Sequence, residues 1–416
     1  MEALGLRLLA NPPAALRALA FVAAGIALGT LSGLTPGLHV NTVAVVLGAV
    51  AADVPGPPHL VGASMLAAGV AHSFLDVVPT LAIGVPDAAM AVSALPGHRL
   101  VLGGRGREAL RLSAVGSASA VLLAAVLGIP VTMAMELVAP ILDRHLALVL
   151  AVVVSVLLAT ESGARARVGA VLTLVASGGL GVLTLDIATG GLAPGGDTLL
   201  PLLTGLFGVP VLVHALNGDG VPPQGGAAVS ATRSETLGWG AIGASAGAVV
   251  AYVPGVSAAV AAALSFSIVP GSTGDRGFVT TVSGVNTANA VFALFALVAL
   301  GSPRTGVLVA FEQARLPPNL PLLLLAIVLA AAVSFVLVPV LGDRYLRMVG
   351  RVDPRRLTAG VAALLVVIVF VFTGLPGLGL LAVASLVGMV PPAYGARRVH
   401  AMGVLVVPLA VQSLVG

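Results

Sequence analysis

Two short segments carry the chemistry of an otherwise apolar chain. Thr35-Pro36-Gly37-Leu38-His39-Val40-Asn41-Thr42 and Val253-Pro254-Gly255-Val256-Ser257 each interrupt an apolar run with a Pro-Gly pair, and Pro254 lies 218 residues after Pro36. A Pro-Gly break ends one helix and starts the next, leaving unpaired N–H groups and a partial positive charge at the new N-terminus. Two such termini meeting at membrane depth bind a carboxylate without a buried cationic side chain. Substrate contacts are therefore expected from Thr35, Pro36, Gly37, His39, Asn41, Thr42, Pro254, Gly255 and Ser257. A kinked helix with interhelical hydrogen bonds accounts for either break taken alone. The duplication favours a site.

A second polar cluster follows each break. Asn286 and Thr287 sit in Gly284-Val285-Asn286-Thr287-Ala288, which resembles Gly69-Val70-Ala71-His72-Ser73 at an offset of 215, and Asn289 follows directly. Their oxygens suit a substrate or a sodium ion, although small residues and amides at membrane depth also serve helix packing alone. His72, Ser73, Asp76 and Asp87 are the expected ion-coupling residues, because an intramembrane carboxylate carries a cation or a proton by default. Asp87 and Arg304 follow Pro86 and Pro303 at equivalent places with opposite charge. Arg304 can clamp a substrate carboxylate; both can equally cap helix ends or pair as a gate.

The remaining chemistry is sparse. His72 and Asp76, one helical turn apart, are the single local pair suited to catalysis, and no Walker motif, metal-ligand spacing or nucleophile–base pair is present. The chain reads as a non-enzyme needing no cofactor, with sodium as the possible metal ion. Glu136 and His214 read as satisfied polar groups or interfacial residues, and 217–235 as a flexible connection.

The elements that must hold these residues are membrane helices. Of 416 residues, 58% are hydrophobic and 9% charged, against about 25% charged in soluble domains, and the mean hydropathy is +1.11. Apolar runs recur at the roughly 20-residue length of a spanning helix. Arg7 and Arg17 before the first run imitate a secretory signal, but no cleavage site follows, so an uncleaved helix is expected. Cysteine is absent, which removes disulfides and thiolate chemistry. All 20 basic residues are arginine; with a net charge of only +4 they mark cytoplasmic loops rather than nucleic-acid binding.

Gly and Pro punctuation predicts helices near 14–34, 38–52, 60–76, 78–95, 112–138, 145–160, 168–185 and 199–216. A second series follows near 237–253, 256–269, 278–300, 305–313 and 320–341, then a hairpin over 357–391 and one last helix. The basic loops 96–111, 161–167 and 343–356 are placed inside. The predicted fold is an all-α polytopic membrane protein with about 10–12 transmembrane segments, built of two pseudo-symmetric, inverted repeats with re-entrant half-helices. Its divisions are repeat unit 1 at 14–138, connecting helices and a polar loop at 139–235, repeat unit 2 at 236–341, and a basic loop with helices at 342–416. Inversion is favoured because loop 96–111 carries four arginines and its counterpart near Leu316, one spanning helix before the basic loop at 343, only Arg315; the even helix count between Arg167 and Arg233 agrees with it if one of those segments does not span.

At these residues the chain resembles the large membrane subunit of the tripartite tricarboxylate transporters. The resemblance rests on Gly25-Ile-Ala-Leu-Gly29-Thr-Leu-Ser-Gly33-Leu-Thr-Pro36-Gly37, on the basic stretch Leu95-Pro96-Gly97 through Gly103-Gly104-Arg105-Gly106-Arg107-Glu108-Ala109-Leu110, on Gly205-Leu206-Phe207-Gly208-Val209-Pro210, and on Val282-Ser283-Gly284-Val285-Asn286-Thr287-Ala288-Asn289-Ala290. It spans roughly residues 20 to 340. Asn286 stands where the family has an acidic residue, and His39 where it has glycine. The resemblance implies cation-coupled uptake of a carboxylate across the cytoplasmic membrane by a multi-pass permease, working with an extracytoplasmic binding protein and a small membrane subunit.

The expected function is thus a secondary transporter, coupled to sodium or protons, for a small organic carboxylate of tricarboxylate type. The alternative within transport is a translocase for polyprenyl-phosphate, since half-helix N-termini bind phosphate equally well and Pro254-Gly255-Val256-Ser257 also resembles the motif of such carriers. Lipid contact and a homo-oligomer complete the expected partners; nucleic acid is not among them.

Overall fold

The computed structural model describes the chain except residues 1, 4–5, 8–10, 37, 39, 85–93, 194–196, 217–220, 254–255, 257, 259, 262–263, 266–273 and 416; the side chains of 2, 3, 6, 7, 41, 42, 45, 94, 95 and 215 are likewise outside the description. Apart from a two-residue antiparallel pair, Glu2–Ala3 with Leu6–Arg7, the described elements are helices. That is the expected answer to long apolar runs, because in hydrocarbon a helix satisfies its own backbone. Eight are long and apolar enough to cross a membrane, and Leu146–Ala159 and Leu199–His214 are shorter apolar helices.

In chain order they are α1 Pro12–Gly33, α2 Val40–Val50, α3 Pro58–Leu75, α4 Val77–Ile83, α5 Ala94–Leu102, α6 Gly106–Arg144, α7 Leu146–Ala159 and α8 Ala164–Thr184. There follow α9 Leu199–Leu203, a π-helical turn at Thr204–Gly208, α10 Val209–Ala215 and α11 Arg233–Tyr252. The second series continues with α12 Gly274–Leu300, α13 Gly306–Gln313, α14 Leu320–Val349, α15 Pro354–Gly388, α16 Val390–Tyr394 and α17 Gly403–Val415. Starts are signalled locally. Asn11 accepts from the Ala14 N–H ahead of Pro12 and Pro13, and Thr232 with Glu235 forms a capping box.

Several expectations are corrected. The basic loop at 96–111 is mostly helix, with a turn at 103–105 joining α5 to α6, and Asp343, Arg344 and Arg347 belong to the last turns of α14. Helix propensity of Arg and Leu carries these charged ends beyond the apolar core. Over 357–391, where a hairpin is expected, two helical stretches meet at a break at Gly374, whose φ of 67° only glycine adopts readily.

Glycine ladders bring the helices together. Along α1, Cβ atoms built on Gly25 and Gly29 would overlap the carbonyl oxygens of Ser64 and Ala68, and one on Gly33 would lie 2.9 Å from that of His72. Along α11, Gly243 and Gly247 approach the carbonyls of Thr281 and Val285 in the same way. Small residues permit such backbone contact between helices. The approach thus recurs at an offset of 218 on the glycine helix and 217 on its partner. The offset of 217, not 215, places His72 opposite Asn289. Gly84 and Gly301, also 217 apart, both have left-handed φ, 75° and 62°.

Direction follows from the same contacts. Up α3 and α4, Gly69 lies against Val307, Asp76 against Asn286, and Leu81 shares Gly97 with Val279. Numbers rise on one side and fall on the other, so α3 and α12 run antiparallel. α1 runs parallel to α3, and α2 turns back to pack Gly48 against Ala310 of α13.

Two charged clusters tie the helix ends. Glu108, 1% exposed, accepts from Arg276 Nε at 2.8 Å and from Ser230 N and Oγ at 2.9 and 2.7 Å, with Arg105 at 3.1 Å. Around it Arg107 meets Asp343 at 2.5 Å, Arg347 pairs with the same carboxylate, and Gln224 bonds Gly106 N and Val101 O. Residues 221–230 are therefore strapped to the start of α6 rather than forming the flexible connection expected. The two outermost basic loops meet here, as their common placement requires.

The second cluster holds the C-terminal helices: Glu161 accepts from Arg397 Nε at 2.7 Å and faces His400 Nε2 at 2.8 Å. Burial alone would raise the Glu161 carboxyl, but the Arg397 and His400 hydrogen bonds outweigh it and hold it below the ordinary glutamate value of 4.5. A depressed carboxylate stabilises the fold above its unfolded pKa, and that contribution disappears as pH falls through the folded one. Protection against amide exchange over 398–402, taken relative to the intrinsic rate at each pH, should therefore fall as pH drops below 4.5. In Glu161→Gln exchange should be faster already at neutral pH, and the acid step should vanish.

Candidate functional site

The first break reaches the second polar cluster directly. α1 ends at Gly33, packed on His72, Leu75 and Asp76, and the chain turns through Leu34, Thr35 and Pro36 before α2 starts at Val40. Ser32, in the last turn of α1, lies 2.9 Å from His72 Nδ1, and its hydroxyl donates to Gly29 O at 3.1 Å.

His72 is fully buried and Asp76 is 4% exposed. Asp76 Oδ2 accepts from Asn286 Nδ2 at 3.1 Å, and the same amide reaches Ser73 O at 3.5 Å. Two acceptors fix which end of the Asn286 amide faces them. Asn286 is the thirteenth of the 27 residues of α12, so this junction lies at the middle of a spanning helix. Residues far apart in sequence and expected to correspond are in fact bonded to one another.

α11, which precedes the second Pro-Gly pair, reaches the same level. The α11 ladder places Gly247 against Val285, Ala288 and Asn289, and α11 ends five residues later at Tyr252, whose hydroxyl bonds Thr132 at 2.5 Å. Asn289 Oδ1 is buried and has no hydrogen-bond partner among the described residues. A third chain end descends beside them. Phe311 lies against Gly62 and Val307 against Gly69, so α13 runs antiparallel to α3 with its N-terminus toward Ser73. Arg304 directly precedes the Thr305 cap of that helix, and its buried Nε has no partner among the described residues.

The other expected residues divide as follows. Thr35 is half-buried with Oγ1 on Leu31 O at 2.9 Å, and Pro36 is buried. Asn41 and Thr42 lie in the first turn of α2, with side chains outside the description. Gly37, His39, Asp87, Pro254, Gly255 and Ser257 lie outside the described residues. Thr287 faces the other way, its hydroxyl donating to Ser283 O at 3.0 Å and lying 2.9 Å from Ser117 Oγ, within a ladder that includes Ser113. Ser73 Oγ is spent on Val70 O. Glu136 and His214 are exposed. Sequence reasoning missed Ser32, Tyr252 and Glu108. Ser32 and Tyr252 each sit within four residues before a Pro-Gly pair, and Glu108 is the lone acid among the arginines of its loop.

Broken helices converging on polar groups midway along spanning helices define a multi-pass, all-α membrane protein of transporter architecture. The profile of the Tripartite tricarboxylate transporter TctA family matches residues 19–403, and the chain belongs to that family. It is 28% identical over 202 residues to an uncharacterised protein of Methanocaldococcus jannaschii, covering 48% of each chain. The match thus spans about half the length of that curated relative. No solved structure matches.

Proposed function

We propose that this chain is the permease of a cation-coupled system for uptake of a small tricarboxylate-type anion across the cytoplasmic membrane. The observation that carries this reading is the packing of the end of α1 on His72 and Asp76 and of α11 on Val285 and Asn289, on either side of the Asp76–Asn286 hydrogen bond midway along α12. Family membership supports it. The repeat units are 14–138 and 236–341, inverted with respect to one another, and the antiparallel course of α3 and α12 supports that assignment. An extracytoplasmic binding protein and a small membrane subunit are its proposed partners, as the word tripartite in the family's description suggests.

The substrate site lies between the ends of α1 and α11 and the start of α13. Thr35, Pro36, Gly37, His39, Asn41, Thr42, Pro254, Gly255 and Ser257 contribute the broken backbone, Asn286 and Asn289 the amides, and Arg304 the cation. A guanidinium with a buried, unpaired N–H is costly, and a substrate carboxylate supplies what it lacks. Labelled citrate binding to the purified chain tests this. Arg304→Ala should weaken citrate binding by about tenfold to a hundredfold, the cost of one charge-assisted pair of roughly 1.5–3 kcal/mol. Wild-type affinity in that variant would remove Arg304 from the site, and wild-type protein that binds no di- or tricarboxylate would overturn the carboxylate reading.

A further inference from the structure

Two adjacent arginines near the C-terminus have opposite surroundings. Arg397 is tied to its neighbours, with Nε on Glu161 Oε1 at 2.7 Å and Nη2 on Leu157 O at 2.7 Å and Thr160 Oγ1 at 2.5 Å. Arg398 is 8% exposed, and its Nη1 is buried with no hydrogen-bond partner among the described residues. We propose that Arg398 is the centre of a binding site for a phosphate-type oxyanion, the chemistry shared by the headgroup of an anionic phospholipid and by inorganic phosphate.

Three observations carry this. First, the pairing is the reverse of what a structural ion pair requires. The deeper guanidinium has most to gain from a carboxylate, because an uncompensated charge costs more as water is withdrawn. Glu161 nevertheless goes to the more exposed Arg397 and to His400. A cation kept at membrane depth without a protein partner points to a ligand that supplies the charge.

Second, no other acid on the surrounding helices competes for it. The 3-10 turn Arg398–Met402 packs against α8, the π-helical turn, α15, α16 and α17. All five lie wholly within the described residues, and none contains Asp or Glu. Arg165, whose Nη2 donates to Ala393 O at 2.9 Å, and Arg167 add positive charge at the start of α8.

Third, the depth suits a lipid phosphate. Gly169 of α8 lies against Tyr394 and Ala396, and Ser177 Oγ donates to His400 O at 3.3 Å. Arg398 therefore sits between those two levels, roughly 8–20 Å along α8 at 1.5 Å per residue. With the basic loop 161–167 on the inner side, a long arginine side chain at this level reaches toward the inner leaflet's headgroups. Basic pockets between spanning helices on that side take anionic lipids, and a guanidinium fork matches two phosphate oxygens.

The test is thermal unfolding of the full chain in a neutral detergent, alone and with phosphatidylglycerol, phosphatidylcholine, inorganic phosphate or citrate. Phosphatidylglycerol should raise the wild-type melting temperature by a few degrees and leave Arg398→Met unshifted, since a ligand stabilises only the state that binds it. Phosphatidylcholine, whose phosphate already has a choline partner, should shift neither. Arg355→Gln, at the exposed start of α15, should respond as the wild type does. Without any anion Arg398→Met should melt at or above wild type, because an apolar side chain removes the penalty of the unpaired charge. Lipid that survives purification is read as phosphorus retained per chain, which should fall in Arg398→Met. A shift with phosphatidylglycerol alone makes the lipid the source of the phosphate, and a shift with inorganic phosphate makes it the free anion. Equal shifts in wild type and Arg398→Met, or no shift with equal retained phosphorus, overturn the site. Stabilisation by citrate alone overturns the phosphate chemistry. An Arg398→Met protein that melts below wild type with no anion present also overturns the proposal, since the guanidinium would then already be partnered within the chain.

Discussion

Glu108→Ala is expected to unfasten one end of the molecule, with a loss of about 3 kcal/mol. The carboxylate is 1% exposed and is the shared acceptor of Arg276, Arg105 and both donors of Ser230. Removing one partner from a buried ionic cluster costs about 3–5 kcal/mol, because the remaining charge is stranded. Arg276 and Arg105 retain 27% and 50% exposure and recover some hydration, which sets the expectation at the lower end. Glu108→Gln keeps the shape and one acceptor, so it should fall between alanine and wild type. Thermal unfolding in detergent checks the order. Hydrogen exchange over 221–232 locates the damage, since this strap loses its anchor at Ser230 while keeping those at Gln224 and Gly225. Unchanged exchange in the strap, with or without a lower melting temperature, would show that the cluster does not hold it.

The contrast between Glu108 and the Pro-Gly segments shows which parts of this fold a sequence reader can see. Helices such as α1, α8 and α14 announce themselves because an apolar run of spanning length has one stable form in lipid. The break at Pro36 was legible for the same reason, since only a functional or packed environment tolerates it, whereas Pro254 lies outside the described residues. Partners across long separations were not legible. Nothing in the run Asn286-Thr287-Ala288-Asn289 tells which amide turns to Asp76 and which hydroxyl turns to Ser117, because that depends on the rotation of α12 about its axis. That rotation is set by Gly116, Gly243 and Gly247 on two neighbouring helices. The charged ends misled in the opposite direction. Gly103 to Arg111 and Asp343 to Arg356 look like loops by charge, yet helix continues through much of both, because arginines reach outward from the last turns.

Those glycines set up the second large effect, a graded one. Gly29→Ala is expected to cost about 3 kcal/mol or more, since its Cβ would overlap the Ala68 carbonyl oxygen and α1 must move off α3 along its length. Gly25→Ala, against the Ser64 carbonyl, should behave alike. The corresponding positions of the second unit are looser: a Cβ on Gly243 would stand 2.6 Å from Thr281 O, and one on Gly247 2.5 Å from Ala288 Cβ and 2.8 Å from Val285 O. Gly243→Ala and Gly247→Ala should therefore destabilise less. Gly179→Ala has open space on α8 and should be neutral or stabilising by up to about 1 kcal/mol, the helix propensity of alanine over glycine. Melting temperatures of the five variants test the ranking. Function should separate from stability at one point. Moving α1 stretches the 2.9 Å link from Ser32 to His72, so any folded Gly29→Ala protein should lose citrate binding out of proportion to its stability, whereas Gly179→Ala on α8 should not. Unchanged citrate binding by the folded Gly29→Ala protein would mean that the α1 ladder holds the fold without positioning His72.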